Sequence, residues 1–144
     1  MGLGGVTHTH VMSSVDPALL VGVALGGGAG AALRYAATCI QFNKTKCAYT
    51  ITAINVTGSF ILGAVSASPA LTPAVRTILG VGVCGGFTTF STFAMEGSAY
   101  VDRKAWHLLG AHVAANVVGS IAAARLGQAA ALRLHKLNIV KKNK

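Results

Sequence analysis

Charged residues fall at the edges of four long apolar stretches. Between one charged side chain and the next, uncharged runs cover 17–33, 47–75, 77–95 and 105–124, with lengths of 17, 29, 19 and 20 residues. A bilayer core about 30 Å thick is crossed by about 20 helical residues, and a helix satisfies its own backbone in lipid. The pattern predicts an all-α membrane protein with four transmembrane helices at about 17–39, 48–67, 74–98 and 105–127. These lie between a flexible polar tail (1–16), with His8 and His10 in solvent, and a basic C-terminal tail (128–144). Asp16-Pro17 supplies a cap and a first-turn proline for the first helix. Arg34 closes that run and no basic residue precedes it, so it reads as a mature span and not as a secretory signal. The connections are short: QFNKTKC at 41–47, SPALTP at 68–73 with Pro69 and Pro73, and YVDRK at 100–104. Met1 and Met12 both stand as candidate starts.

Composition agrees with this class. Of 144 residues, 10% are charged and 53% hydrophobic, and the mean hydropathy is +0.61; soluble domains carry roughly 25% charged residues. Cys39, Cys47 and Cys84 are odd in number and show no CxxC spacing, which argues against a disulfide framework or a zinc site. The net charge of +9 invites a nucleic-acid reading, but the basic residues are dispersed as membrane anchors and form no groove. With four spans both termini share a side, together with Arg76, Arg125, Arg133, Lys136, Lys141, Lys142 and Lys144. Arg34, Lys44, Lys46, Arg103 and Lys104 lie opposite, so seven stand against five. That near balance is compatible with insertion in both orientations, and hence with an antiparallel homodimer, or with a single topology set by the tail. The tail itself either lies on anionic lipid or is disordered.

Glycine and isolated polar residues carry the candidate chemistry. Gly22, Gly26 and Gly30 share one helix face and suit close packing within the chain. In GVGVCGGFTTFSTF (80–93), four glycines within seven residues precede Thr88, Thr89, Ser91 and Thr92. Glycines weaken a helix and hydroxyls compete for its backbone bonds, so a third span broken in mid-membrane is expected. Irregular backbone at that depth is tolerated where it lines a site, and its freed carbonyls suit a hard cation such as sodium. Asn55 stands alone in the second span, while His112, Asn116 and Ser120 stack along one face of the fourth. All are neutral donors. Asp16, Glu96 and Asp102 sit at span ends, leaving no carboxylate in mid-span for proton-coupled export. A neutral donor track suits a small, strongly hydrated anion, which the edges of Phe87, Phe90 and Phe93 can also meet.

Three motifs carry a resemblance: GGGAGAALRY (26–35), INVTGSFILG (54–63) and, most specific, GVCGGFTTFSTFAME (82–96). Over about residues 20–127 the chain resembles the Fluc (CrcB) family of fluoride channels. The resemblance implies a dual-topology antiparallel homodimer in the cell inner (plasma) membrane, with two fluoride pores and one central structural sodium ion. Backbone carbonyls of Gly85 and Thr88 from both chains would hold the sodium. Phe90 and Phe93 would line the pores, Asn55 would be the amide donor, and Ser91 and Thr92 would lie near the path. Glu96 matches an acidic position tied to access or gating, and Arg34 a position read as vestibule electrostatics or packing. The chain departs from the pattern in two places. Thr50-Ile51 stands where Gly-Thr is usual, moving any hydroxyl to Thr52, and His112 and Asn116 replace a Tyr and a Ser. Donor chemistry survives, and a His brings a pH dependence that a Tyr would not. The expected function is passive fluoride export that confers fluoride resistance, with no enzymatic role. The alternatives are a coupled four-span small-solute or multidrug exporter and a structural membrane subunit.

Overall fold

A computed structural model describes residues 15–39 and 49–142. Expectations for His8, His10 and Met12, for the 41–47 connection with Lys44, Lys46 and Cys47, and for Lys144 fall outside the described residues. Among the described residues four helical stretches are long and apolar enough to cross a membrane: Pro17–Cys39, Thr50–Ala67, Pro73–Asp102 and Trp106–Lys142. The chain is a multi-pass, all-helical membrane protein.

Helix α1 (Pro17–Cys39) starts as its sequence dictates: the Asp16 carboxylate accepts the N–H of Ala18 at 2.9 Å, and Pro17 needs no acceptor. Helix α2 (Thr50–Ala67) ends just before Pro69. Thr72 then caps α3 (Pro73–Thr77), its hydroxyl accepting Val75 N–H at 3.3 Å. The chain continues through wide π-helical turns over Ile78–Cys84 and one further turn, α4 (Gly85–Phe87). Thr88 and Thr89 are extended, with φ/ψ of −79°/161° and −152°/116°, before α5 (Phe90–Asp102) begins. The turn after α5 closes with Lys104 N–H to Val101 O at 2.8 Å and Ala105 N–H to Tyr100 O at 2.9 Å. This double closure places Lys104 in the left-handed region at φ 55°.

Helix α6 (Trp106–Lys142) runs well past the span end expected near 127. After Gly127 the sequence QAAALRLHKLNIVKK contains neither Gly nor Pro and consists largely of strong helix formers, so nothing stops the helix at the edge of the apolar layer. At 1.5 Å per residue it is about 55 Å long, beyond the roughly 30 Å of hydrocarbon.

Two close packings organise the chain. Helix α1 lies along Ile78–Cys84 and α4, and α2 lies along α6, against which α5 also packs. Small residues make both possible. A Cβ on Gly30 would overlap the Val83 carbonyl oxygen, and one on Gly127 the Phe60 carbonyl oxygen. The Gly22/Gly26/Gly30 face thus serves packing within the chain, with Ile78 against all but its last member. Among the described residues the buried interior holds few large side chains. Ile51, Ile54, Cys84 and Ala123 are its hydrophobic members and Thr89, His112 and Asn116 its polar ones, whereas large apolar residues such as Leu25, Val81 and Met95 face outward. That inversion is what lipid permits, since association there depends on close packing and on polar groups that bond across helices.

Candidate functional site

The site is built around the extended pair Thr88–Thr89. In an unbroken helix the Thr89 N–H would donate to Gly85 O; here it donates to Asn55 Oδ1 at 2.8 Å. Asn55 Nδ2 returns a bond to Thr89 O at 3.1 Å, so one side-chain amide from α2 pairs with both polar groups of a main-chain residue. The Thr89 hydroxyl caps α5 by accepting Thr92 N–H at 3.2 Å, the donor that Thr88 O would otherwise receive. The carbonyls of Gly85 and Thr88 are thus among those at the interruption whose helical donors have been drawn away. Thr88 fixes itself backward, its N–H and its hydroxyl both donating to Cys84 O at 3.0 Å.

A polar chain extends from this clasp across three helices. The second hydrogen of Asn55 Nδ2 goes to Asn116 Oδ1 at 3.0 Å, and Asn116 Nδ2 donates to Thr52 Oγ1 at 2.7 Å and to His112 O at 3.1 Å. The Thr89 hydroxyl also meets Ser91 Oγ at 3.2 Å and Thr92 Oγ1 at 3.1 Å. Asn116 is 5% exposed and Thr89 6%, so these groups depend on one another and not on water.

Beside the clasp lies a groove of about 280 Å³ whose polar lining comes from Asn55, Ser59, Thr88, Thr89, Asn116 and Ser120. Phe90 and Phe93 form its aromatic side, their rings tilted at 53° with centroids 5.4 Å apart. The far face of Phe93 is covered by the His112 ring, stacked at 25° with centroids 4.9 Å apart. His112 Nε2 lies 3.2 Å from Phe93 O and 3.8 Å from Glu96 Oε2, and Tyr100 tilts against the same ring at 5.6 Å. One carboxylate thus stands at the edge of an otherwise neutral set.

Of the residues selected from sequence, Asn55, Thr88, Phe90, Phe93, Asn116 and Ser120 converge on this groove. His112 and Glu96 adjoin it behind Phe93. Ser91 reaches it through the Thr89 hydroxyl. Arg34 and Thr92 instead line a separate hollow of about 240 Å³ with Tyr35, Thr38 and Ile51, and Gly85 is exposed. Sequence reasoning assigned no site role to Thr89 or Ser59. Thr89 stood undistinguished within a hydroxyl cluster, and Ser59 sat inside the second-span motif, whose period would have placed it one turn beyond Asn55.

The sequence comparisons give the family of the chain that carries this site. Residues 21–128 match the family described as "CrcB-like protein, Camphor Resistance (CrcB)". The chain belongs to the CrcB family. A protein of Sorangium cellulosum called "Fluoride-specific ion channel FluC" is 38% identical over 118 residues, 78% of this chain and 93% of that protein. Proteins of the same name from Vibrio campbellii and Novosphingobium aromaticivorans are each 38% identical, over 111 and 112 residues, covering 73% of this chain and 87% and 89% of theirs. The CrcB match takes in the clasp, the groove, His112 and Glu96, and stops within α6 at Gln128.

Proposed function

We propose that this CrcB chain is a fluoride-selective channel that lets fluoride leave the cytoplasm passively across the inner membrane. The observation that carries the reading is the groove at the Thr88–Thr89 interruption, in a chain whose relatives bear the name of fluoride-specific ion channels. Its lining is neutral. The Ser59 and Ser120 hydroxyls face it and take no part in the clasp, so they are the donors positioned to replace an anion's water. Phe90 and Phe93 offer electropositive ring edges. Asn55 and Asn116 work one step back: their amides are committed to Thr89, Thr52 and each other, and they fix the shape of the path. Small size and strong hydrogen bonding favour fluoride over chloride in such a path.

The working unit in this reading is an antiparallel dimer with both orientations in one membrane and the third span interrupted near mid-membrane. A structural sodium ion fits the carbonyls of Gly85 and Thr88. Both have lost their helical donors to Asn55 and to the Thr89 hydroxyl, and oxygen ligands of this kind suit a hard cation. Bound there by two copies, the ion would supply a fixed positive charge that ties the interrupted segments together. Glu96 and His112 flank the groove as groups that influence access.

The deciding experiment uses proteoliposomes loaded with fluoride and a fluoride electrode. Rapid efflux that needs no proton gradient and excludes chloride is expected. Efflux that requires a proton gradient would make the chain a coupled exporter, and no efflux from folded protein would leave it a structural subunit.

A further inference from the structure

The C-terminal third of α6 lies outside the channel site, yet it forms a structured feature with the end of α2. Between the two runs a groove of about 420 Å³ with an apolar floor that includes Phe60, Leu71 and Leu134 and a polar rim that includes Ser68, His135 and Asn138. Helix α2 ends at Ala67 beside this rim, so the groove opens where the chain leaves the apolar layer. Lys141 and Lys142 follow Asn138 at i+3 and i+4, which puts both cations on the groove's face of the helix, one turn beyond the rim. The sequence has no Asp or Glu after Asp102, so no carboxylate on α6 can neutralise them. Arg133 and Lys136 add positive charge two turns before the helix end. Cations in the last turn also complement the helix dipole, but that role explains neither the adjoining apolar groove nor the two earlier basic residues.

We propose that this groove binds an anionic phospholipid. Its acyl portion lies against Phe60, Leu71 and Leu134, its polar linkage meets Ser68, His135 and Asn138, and its phosphate faces Lys141 and Lys142. The order from apolar floor through neutral donors to cations matches the order of groups along such a lipid. A soluble acidic partner would match only the last of these.

The test is native mass spectrometry of the full-length protein in neutral detergent, titrated with phosphatidylglycerol and, separately, phosphatidylcholine of the same acyl chains. Each basic residue near an anionic lipid surface contributes roughly fivefold to association. Lys141→Gln/Lys142→Gln should therefore weaken phosphatidylglycerol retention about 25-fold, leave phosphatidylcholine retention unchanged, and be rescued by Lys141→Arg/Lys142→Arg. Leu134→Trp, which fills the floor, should weaken both lipids, while Arg103→Gln/Lys104→Gln at the other end should weaken neither. Equal retention of the two lipids by the unaltered protein overturns the proposal, as does phosphatidylglycerol retention that survives both groove variants. Loss of retention together with dissociation into single chains would also overturn it, since the groove would then be a contact between copies.

Discussion

Asn55 gives both amide hydrogens to protein acceptors, Thr89 O at 3.1 Å and Asn116 Oδ1 at 3.0 Å, while its oxygen takes the Thr89 N–H at 2.8 Å. An aspartate would keep the acceptor, lose both donors and set a carboxylate oxygen against two other oxygens. An unsatisfied buried polar group costs about 1–3 kcal/mol, and an unpaired charge costs more. Asn55→Asp is therefore expected to lower thermal stability and to slow efflux more than tenfold. Phe90 contrasts with it: the residue is 77% exposed and meets its neighbour Phe93 at a 53° tilt, so Phe90→Ile removes little packing. That variant should keep the melting temperature, since exposed substitutions usually stay within about 0.5 kcal/mol, and still slow efflux at least tenfold. Melting followed by the fluorescence of Trp106, with electrode efflux on the same preparations, separates the two. An Asn55→Asp protein as stable as the parent would refute the clasp, and a Phe90→Ile protein with full flux would remove Phe90 from the path. The sequence made Asn55 conspicuous because it is a lone amide in an apolar span. It did not disclose the partner, because Thr89 lies 34 positions away and the bond depends on how α2 meets the interruption. The His112–Asn116 pair was readable because a helix fixes the spacing; the bond from Asn116 to Thr52, 64 positions away, was not.

Helix limits were the most legible property, because charge, proline and capping residues bracket the apolar runs. Pro17–Cys39 coincides with its expectation, and the starts at Thr50, Pro73 and Trp106 fall within two residues of theirs. Two ends run on past their expectation: α5 continues to Asp102, four residues beyond 98 and into the expected 100–104 connection, and α6 continues to Lys142, where burial stops but helix propensity does not. The interior of the third stretch was harder to read. The glycines mark the weak region, yet Gly80, Gly82, Gly85 and Gly86 keep helical turns, and the extended backbone falls on Thr88 and Thr89. Their hydroxyls and Asn55 supply the substitute bonds that glycine lacks a side chain to make. Gly58 has a part in this that the motif alone does not reveal: a Cβ there would overlap the Thr88 methyl group. Gly58→Ala must displace Thr88 or separate α2 from α4, and overpacking of this kind costs about 1–3 kcal/mol. Gly28 is the control, with no atom within 4 Å of an added Cβ, and Gly28→Ala removes a helix-weakening residue at a gain of up to about 1 kcal/mol. Thermal melting should rank Gly28→Ala at or above the parent and Gly58→Ala clearly below it. The reverse order would mean that close approach at Gly58 does not hold the interruption in place.

Orientation belongs to the assembled molecule and follows from where the basic residues lie relative to the spans. For a span ending near 127, Arg133, Lys136, Lys141 and Lys142 all fall within the roughly 15–20 residues over which the positive-inside rule acts. Helix α6 carries these four residues directly on from the span, and they count with Arg76 and Arg125. The balance of seven basic residues against five is then genuine and near even, which supports insertion both ways and the antiparallel dimer proposed above. The same reasoning makes the balance easy to tip. With Arg133, Lys136, Lys141 and Lys142 all changed to Gln, the excess moves to the side of Arg34, Arg103 and Lys104, and the C-terminus should be left mostly outside. The measurement places a cysteine after Lys144, itself outside the described residues, in a chain whose native cysteines are replaced, and labels intact cells with an impermeant maleimide. About half of the parent molecules should label before permeabilisation under the positive-inside rule, and a large majority of the Gln variant. Complete protection of the parent C-terminus would exclude dual insertion. Equal labelling of parent and variant would show that these four charges do not govern it.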